Sequence, residues 1–189
     1  DSVASRGLGD VYKRQVPDIV IGTATIGYEI MEQRKEGFDV IIVPVGNGSL
    51  IGGIGSAVKD KNPSTQVVGV QSEVAPCMTY SFREKRPVDT DSCDTFAGGI
   101  AVRVAIPEAV NLMLEVVDDV ILVSENELKK AMAIFLKAAG VLLEGAGAAG
   151  LAAALKLKDE LKGKSVCLVA TGCNVDEILQ QEILRDYVQ

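Results

Sequence analysis

The sequence predicts an α/β fold in which a mainly parallel sheet carries helices on both faces. Two observations lead to this prediction. Short β-branched runs that suit buried strands alternate with stretches of helical periodicity. Two of these runs, residues 39–45 and 166–170, are each followed by a turn of unusual composition and then by a helix. Strands that alternate with helices favour parallel pairing between two helical layers.

The predicted elements follow one another without an internal repeat. Strands are expected at 39–45, 67–71, 119–123 and 166–170, and helices at 25–33, 50–61, 76–82, 145–155, after 124 and from 175, with a polar loop at 83–94. Ser124, followed three residues later by Glu127, is typical of a capping box at a helix start. The segment 145–155 is almost entirely Gly and Ala before its leucines, as expected where a helix approaches a sheet or ligand closely.

The chain is expected to contain one compact domain. Its 189 residues are 48% hydrophobic, which is enough to bury a substantial core. Residues 1–15 show little periodicity and are expected to be a non-native leader that resembles a translated adapter. Residues 16–189 then form the folded domain.

Composition argues against several classes of protein and site. The formal net charge of −7 argues against nucleic-acid binding, which depends on clustered Lys and Arg. No apolar run is long enough to cross a bilayer and no secretory signal opens the chain, so a cytoplasmic protein without membrane partners is expected. The absence of histidine removes Ser-His-Asp triads and imidazole metal sites. The four cysteines lack Cys-x-x-Cys spacing, so we predict free thiols and no metal site.

The turn after the first strand has the composition of a phosphate-binding loop. Its glycines let backbone N–H groups point inward, and the helix that follows adds the positive end of its dipole. An ordinary strand-to-helix turn without a ligand explains the same composition. A third interpretation is a dinucleotide fingerprint, because Gly46, Gly48 and Gly52 fit one variant and Glu73 follows the next strand. Spacing alone does not separate these three possibilities.

Five separated runs occur in the same order as the motifs of one enzyme family. They resemble its Gly-Gln-Gly-Thr-Ile-Gly, tetraglycine-Leu, Thr-Ile-Ala-Asp-Gly-Ile-Ala, Glu-Gly-Ala-Gly and Ser-Gly-Gly-Asn motifs. In this chain the runs are Gly22 to Gly27, Gly46 to Leu50, Thr95 to Ala101, Glu144 to Ala149 and Thr171 to Asn174. Together they resemble the β-family (fold type II) of pyridoxal-phosphate enzymes, nearest the threonine dehydratases and serine racemase. The resemblance implies the large domain of the tryptophan synthase β-like fold, truncated at its N-terminus.

The resemblance also implies a cofactor, pyridoxal 5'-phosphate, and the residues that bind it. Those implied to hold its phosphate are Gly46, Asn47, Gly48, Ser49 and Leu50. Thr171 would hydrogen-bond the pyridine nitrogen, and a neutral hydroxyl there favours elimination over transamination because it does not hold that nitrogen protonated. Glu144 would lie near the cofactor ring, or would be an acid favoured only by the helix dipole.

The implied activity is that of a threonine or serine ammonia-lyase, which converts a small β-hydroxy amino acid into a 2-oxo acid and ammonia. The full-length enzyme is expected to form a homo-oligomer. Two alternatives remain from the sequence: a nicotinamide-dependent oxidoreductase domain of Rossmann type, and a non-catalytic ligand-binding domain.

Several positions depart from the family pattern. Asn47 and Ser49 replace loop glycines, and Gly98 replaces an aspartate common in the dehydratases, which bears on substrate specificity. Gln71 and Cys77 stand at the acidic positions of the cation site of serine racemase and are poor ligands for a hard cation. The family's Ser-x-Lys-x-Arg-Gly run, which carries the lysine that bonds the cofactor, has no counterpart. No catalytic residue is therefore assigned, and the chain alone is expected to be inactive.

Overall fold

The computed structural model describes residues 17–188 of the chain, so the predicted leader at 1–15 lies outside the described residues. The described part contains seven helices and four strands. The helices are α1 (Pro17–Gln33), α2 (Ser49–Lys61), α3 (Cys77–Glu84), α4 (Pro107–Val116), α5 (Glu125–Ala139), α6 (Gly145–Lys156) and α7 (Glu177–Asp186). The strands are β1 (Val40–Pro44), β2 (Gln66–Ser72), β3 (Asp119–Val123) and β4 (Val166–Leu168), and a short 3-10 turn spans Gly98–Ile100.

The four strands form one sheet in the order β3-β2-β1-β4, and every pairing within it is parallel. In the register of the central strand, Ile42 lies opposite Val68 on one side and Leu168 on the other. Parallel strands place all their carboxyl ends at one edge, which is where ligands bind in open α/β sheets. The turns after β1 and β4 therefore lie at the same edge, on neighbouring strands.

Each face of the sheet packs against its own helices. The face that carries Val40, Ile42, Val68 and Val70 is covered by α5 and α6, with Ile183 of α7 in the same core. The opposite face is covered by α2, α3 and α4, whose buried apolar residues are Ile51, Ile54, Val58, Cys77, Met78, Val110, Met113 and Val116. The predicted arrangement, a parallel sheet with helices on both faces, is confirmed.

The helix start at Ser124 has the geometry that the sequence predicts. The Ser124 hydroxyl accepts the Glu127 N–H at 3.2 Å, and the Glu127 carboxylate accepts the Ser124 N–H at 2.7 Å. Leu128, Ala131 and Met132 are buried as expected, while Phe135 is partly buried. The capping box and the buried face of α5 are therefore confirmed.

Helix α1 begins eight residues earlier than the predicted segment 25–33. Ile30 and Met31 pack against the core, but the closest contact of α1 with α2 is made through small residues. A Cβ atom at Gly27 would lie 2.8 Å from the Ala57 Cβ, and the Thr23 hydroxyl donates to the Ser49 carbonyl at 2.9 Å. Small residues give no hydrophobic periodicity, so the first eight residues of this helix were not predicted from the sequence.

Helix α4 is absent from the predicted elements, although it has recognisable signals. Pro107 occupies its first turn, and Val110, Met113 and Val116 lie on its buried side at helical spacing. None of the helices at residues 17–188 is both long enough and apolar enough to span a membrane.

Candidate cofactor site

The two turns that the sequence singles out end adjacent strands. The Val169 N–H donates to the Ile42 carbonyl at 3.0 Å, so pairing with β1 continues one residue past the end of β4. Gly46 follows β1 by two residues and Thr171 follows β4 by three. The sheet therefore places two segments side by side: residues 46–50, called the glycine loop, and residues 171–174, called the threonine turn.

The glycine loop needs glycine at two of its positions. Gly48 has φ 94° and ψ −10°, the left-handed conformation that favours glycine, and it caps the N-terminus of α2. A Cβ at Gly46 would lie 2.7 Å from the Gly99 carbonyl oxygen. Asn47 and Ser49 have no positive φ, so side chains are tolerated where the family has glycine. The first-turn amides of α2 have no carbonyl partner within the helix and suit an anion.

The threonine turn is fixed against the start of α6. Gly172 has φ 36°, and its carbonyl accepts the Glu144 N–H at 3.0 Å. Gly147 comes so close to the Thr171 carbonyl that any side chain at 147 would collide with it. Thr171 is half-buried, and its hydroxyl has no hydrogen-bond partner among residues 17–188. An unpaired hydroxyl in this turn can bond a ligand that binds at the carboxyl-end edge of the sheet.

Gly99 connects the two turns. Its carbonyl lies against Gly46 on one side, and a Cβ at Gly99 would lie 2.8 Å from the Ala146 Cβ on the other. Glu144 occupies the N-cap position of α6, but its side chain makes no capping hydrogen bond. Its half-buried carboxylate instead lies beside Gly172, and a Cβ at Gly99 would lie 3.5 Å from its Oε1. The glycine loop, Gly99, Glu144 and the threonine turn thus form one continuous wall.

Sequence reasoning assigned no role to Gly99. The residue belongs to the Thr95 to Ala101 run, so the motif marked the segment, but only the structure shows which of its two glycines packs. An atom added at Gly98 meets nothing within 4 Å in the part of the chain that the structure describes. The two glycines therefore differ in function: Gly99 allows close packing, and Gly98 faces open space.

Comparison with known proteins identifies the family to which this arrangement belongs. The profile of the family described as "Pyridoxal-phosphate dependent enzyme" matches residues 3–172. The chain belongs to that family. Its cofactor is pyridoxal phosphate, as the sequence predicts, and the match does not support the dinucleotide alternative.

Individual relatives have the same fold and related activities. An L-threonine ammonia-lyase of Thermotoga maritima is 41% identical over 169 residues, which is 89% of this chain and 42% of that protein. The processed threonine deaminase isoform 2 of Solanum lycopersicum has a TM-score of 0.81 and 30% identity, over 87% of this chain and 48% of that one. Serine racemase of Dictyostelium discoideum has a TM-score of 0.75 and 32% identity, over 83% of this chain and 50% of that one. The chain therefore spans half or less of these relatives.

The site has the chemistry that this family's cofactor requires. The glycine loop combines a residue in the left-handed conformation, a close backbone approach and a helix N-terminus, which together suit a phosphate without any cationic side chain. A neutral hydroxyl lies at the neighbouring strand end. The loop is therefore chemically suited to a phosphate group, with a hydroxyl at the end of the neighbouring strand.

Five lysines that could be considered as nucleophiles lie in ion pairs or on the surface. Lys59 pairs with Asp118 at 2.8 Å, and Lys129 pairs with Glu182 at 2.6 Å. The Glu182 hydrogen bond raises the pKa of Lys129 against the opposing effect of burial. A raised pKa holds the amine protonated, which is the opposite of what a nucleophile needs. Lys130 and Lys164 are exposed, and the Lys156 ammonium donates to the Leu122 carbonyl at 2.8 Å.

Gln71 on β2 and Cys77 at the first position of α3 are both fully buried. The Gln71 Oε1 accepts the Thr79 N–H at 2.8 Å and the Thr79 hydroxyl at 2.9 Å. Burial raises the pKa of the Cys77 thiol to about 11, with Asp89 adding to the effect, and the thiol donates to the Val88 carbonyl at 3.3 Å. Cys77 is therefore neutral at pH 7. Among residues 17–188, no group of His, Cys, Asp or Glu side chains has the arrangement of a metal site.

Proposed function

We propose that this chain is the cofactor-binding part of a longer threonine or serine ammonia-lyase that converts a β-hydroxy amino acid into a 2-oxo acid and ammonia. One observation supports it most strongly. The glycine loop and the threonine turn follow adjacent parallel strands and are connected through Gly99 and Glu144. The names of the Thermotoga and tomato relatives support the same activity.

In this proposal the backbone N–H groups of residues 46–50 hold the cofactor phosphate. Each N–H bond to a charged oxygen contributes about 1.5 to 3 kcal/mol. The Thr171 hydroxyl hydrogen-bonds the pyridine nitrogen, and the Glu144 carboxylate lies beside the ring. These assignments use the positions of the two turns and the half-buried, unpaired state of Thr171 and Glu144 within the described residues.

When bound, pyridoxal phosphate supplies an electron sink for the negative charge that develops at the substrate Cα. Thr171 sets how strong that sink is. A neutral hydroxyl does not hold a proton on the ring nitrogen as a carboxylate would, so charge at Cα is stabilised less. Loss of a β-hydroxyl is then favoured over transamination.

We further propose a small β-hydroxy amino acid as the substrate, with the open space at Gly98 facing it. We also propose a cytoplasmic location for the complete protein, which the four free cysteines support because thiols stay reduced in that compartment. A homo-oligomer without nucleic-acid partners is the proposed assembly. These points rest on the family resemblance and on the acidic charge of −7.

The activity is tested by comparing the complete gene product with the 189-residue chain. The complete protein, loaded with pyridoxal phosphate, is expected to release 2-oxo acid and ammonia from L-threonine or L-serine. The chain alone should give no turnover, because the lysine motif of the family is absent from it. Production of 2-oxo acid is followed with a coupled dehydrogenase.

Two results would contradict the proposal. Turnover by the 189-residue chain would show that the missing lysine motif is not required. A complete protein that binds the cofactor but lacks both the lysine in its sequence and lyase activity would favour the non-catalytic alternative.

A further inference from the structure

The Glu125 carboxylate receives three hydrogen bonds at the start of α5. Its Oε1 accepts the Ser72 hydroxyl at 2.6 Å and the Thr95 hydroxyl at 2.8 Å. Its Oε2 accepts the Phe96 N–H at 3.0 Å. Ser72 is fully buried at the end of β2, and Glu125 is half-buried. One side chain thus joins the sheet, α5 and the segment that begins at Thr95.

Local hydrogen bonds connect the backbone of that segment from Thr95 to Ala101. The Thr95 hydroxyl oxygen accepts the Ala97 N–H at 3.1 Å. The Gly98 N–H donates to the Phe96 carbonyl at 3.0 Å, and the Ile100 N–H donates to the Ala97 carbonyl at 3.0 Å. Ala97 and Ile100 are each 1% exposed. We therefore expect a shift at Thr95 or Phe96 to change the position of Gly99.

Gly99 lies in the wall between the glycine loop and Glu144. Its carbonyl contacts Gly46, and its Cα faces Ala146 and the Glu144 carboxylate. Phe96 also packs against Gly145, where a Cβ would lie 2.5 Å from the ring. The position of this short segment therefore determines the spacing of the two halves of the candidate site.

We infer that Glu125 is a positioning residue for the cofactor site. It acts by fixing the segment 95–100, and so the gap between the glycine loop and Glu144, without itself lining the site. This inference rests on the proposed function, since it concerns the same cofactor.

The three bonds are strongest to a carboxylate. All three partners donate, and a carboxylate has two oxygens that only accept. Glutamine at 125 would keep one acceptor oxygen and replace the other with an amide NH2. If the NH2 faces the Phe96 N–H, that bond is lost; if it faces the two hydroxyls, they must turn to accept from it and their own hydrogens lose the carboxylate acceptor. In both orientations the charge-assisted bonds of the carboxylate are replaced by weaker neutral ones or lost.

The direct test is Glu125→Gln in the complete protein, with hydrogen exchange measured first without cofactor. Exchange of the Phe96 and Ala97 amides should become at least about tenfold faster, which corresponds to roughly 1.4 kcal/mol of lost local stability. The Kd of the variant for pyridoxal phosphate should be about tenfold higher than that of the wild type. The absorption band of the bound cofactor should also change, because Glu144 and the loop no longer keep their spacing.

Glu127→Gln is the matched control. Glu127 lies on the same helix turn, but its carboxylate bonds only Ser124 and Lys156 among the described residues. It should lower the melting temperature while leaving exchange at residues 95–100 and the cofactor Kd at wild-type values. A purely structural role for Glu125 predicts that both variants behave alike, and that outcome would overturn the inference.

Thr95→Val breaks the same contact from the other side and decides the question where Glu125→Gln does not fold. It should raise exchange and Kd in the same direction, and Thr95→Ser should restore both. Wild-type exchange at Phe96 in Glu125→Gln, or faster exchange with unchanged Kd and absorption, would overturn the positioning role. A wild-type protein that binds no pyridoxal phosphate would refute the proposed function, and the role in cofactor positioning with it.

Discussion

Gly98 and Gly99 are neighbours in sequence but have different surroundings. Gly99 is packed against Ala146, and Gly98 meets nothing within 4 Å among the described residues. Neither has a positive φ, so their difference lies in packing and not in backbone conformation. This pair separates a glycine required for close approach from one that leaves space open.

Gly99→Ala is predicted to destabilise the complete protein by about 1 to 3 kcal/mol, the usual cost of overpacking. Gly98→Ala should change stability by no more than about 0.5 kcal/mol, as for an exposed site. Urea denaturation of the two variants measures both values. Equal destabilisation would show that Gly99 is not held against Ala146 as described.

At the level of residues, the sequence predicted the site partly. The conformation of Gly48 could be anticipated, because a glycine-rich turn before a helix often contains a left-handed residue. The substitutions Asn47 and Ser49 raised the question of an altered loop, and their ordinary φ values answer it. Gly99 and Glu125 could not be assigned, because their importance comes from contacts with residues distant in sequence.

Helix α5 illustrates what local sequence predicts well. Its capping box is encoded within four residues, so no long-range contact is needed to form it. Helices α1 and α4 were more difficult to predict from local sequence. The close contact of α1 with α2 uses small residues, which carry no hydrophobic pattern. Helix α4 follows a long irregular segment, and Pro107 was not recognised there as a helix start. These two helices are stabilised by tertiary packing, which hydrophobic periodicity in the local sequence does not reveal.

The capping box makes a pH-dependent contribution to stability. Burial acts to raise the pKa of Glu127, but hydrogen bonds from the Ser124 N–H and hydroxyl outweigh it and lower the pKa. Because the folded pKa is depressed, the stabilisation is present above the unfolded value of about 4.3 and is lost as pH falls through the folded value.

Glu127→Gln is therefore predicted to cost about 0.5 to 1 kcal/mol at pH 7, the range for a partly exposed capping contact. The difference from wild type should shrink below pH 4, since wild-type Glu127 becomes protonated there. Urea denaturation at both pH values measures it. A gap of the same size at pH 7 and in acid would contradict this account of the cap.

For the whole molecule, the alternation of strands and helices was enough to predict the fold class and the edge that carries the site. Strand order was not predicted, because it depends on long-range pairing. The order β3-β2-β1-β4 is what makes the site possible: had β4 paired beyond β3, the threonine turn would lie two strands further from the glycine loop. The family resemblance identified the cofactor. The pairing of β1 with β4 places the glycine loop next to the threonine turn, as binding of that cofactor requires.

A crystal structure of the complete protein grown with pyridoxal phosphate tests this adjacency most directly. We expect the phosphate oxygens within hydrogen-bond distance of the N–H groups of residues 46–50, and the pyridine nitrogen next to the Thr171 hydroxyl. A cofactor bound elsewhere, or one whose phosphate contacts this loop while its ring points away from Thr171, would contradict the account.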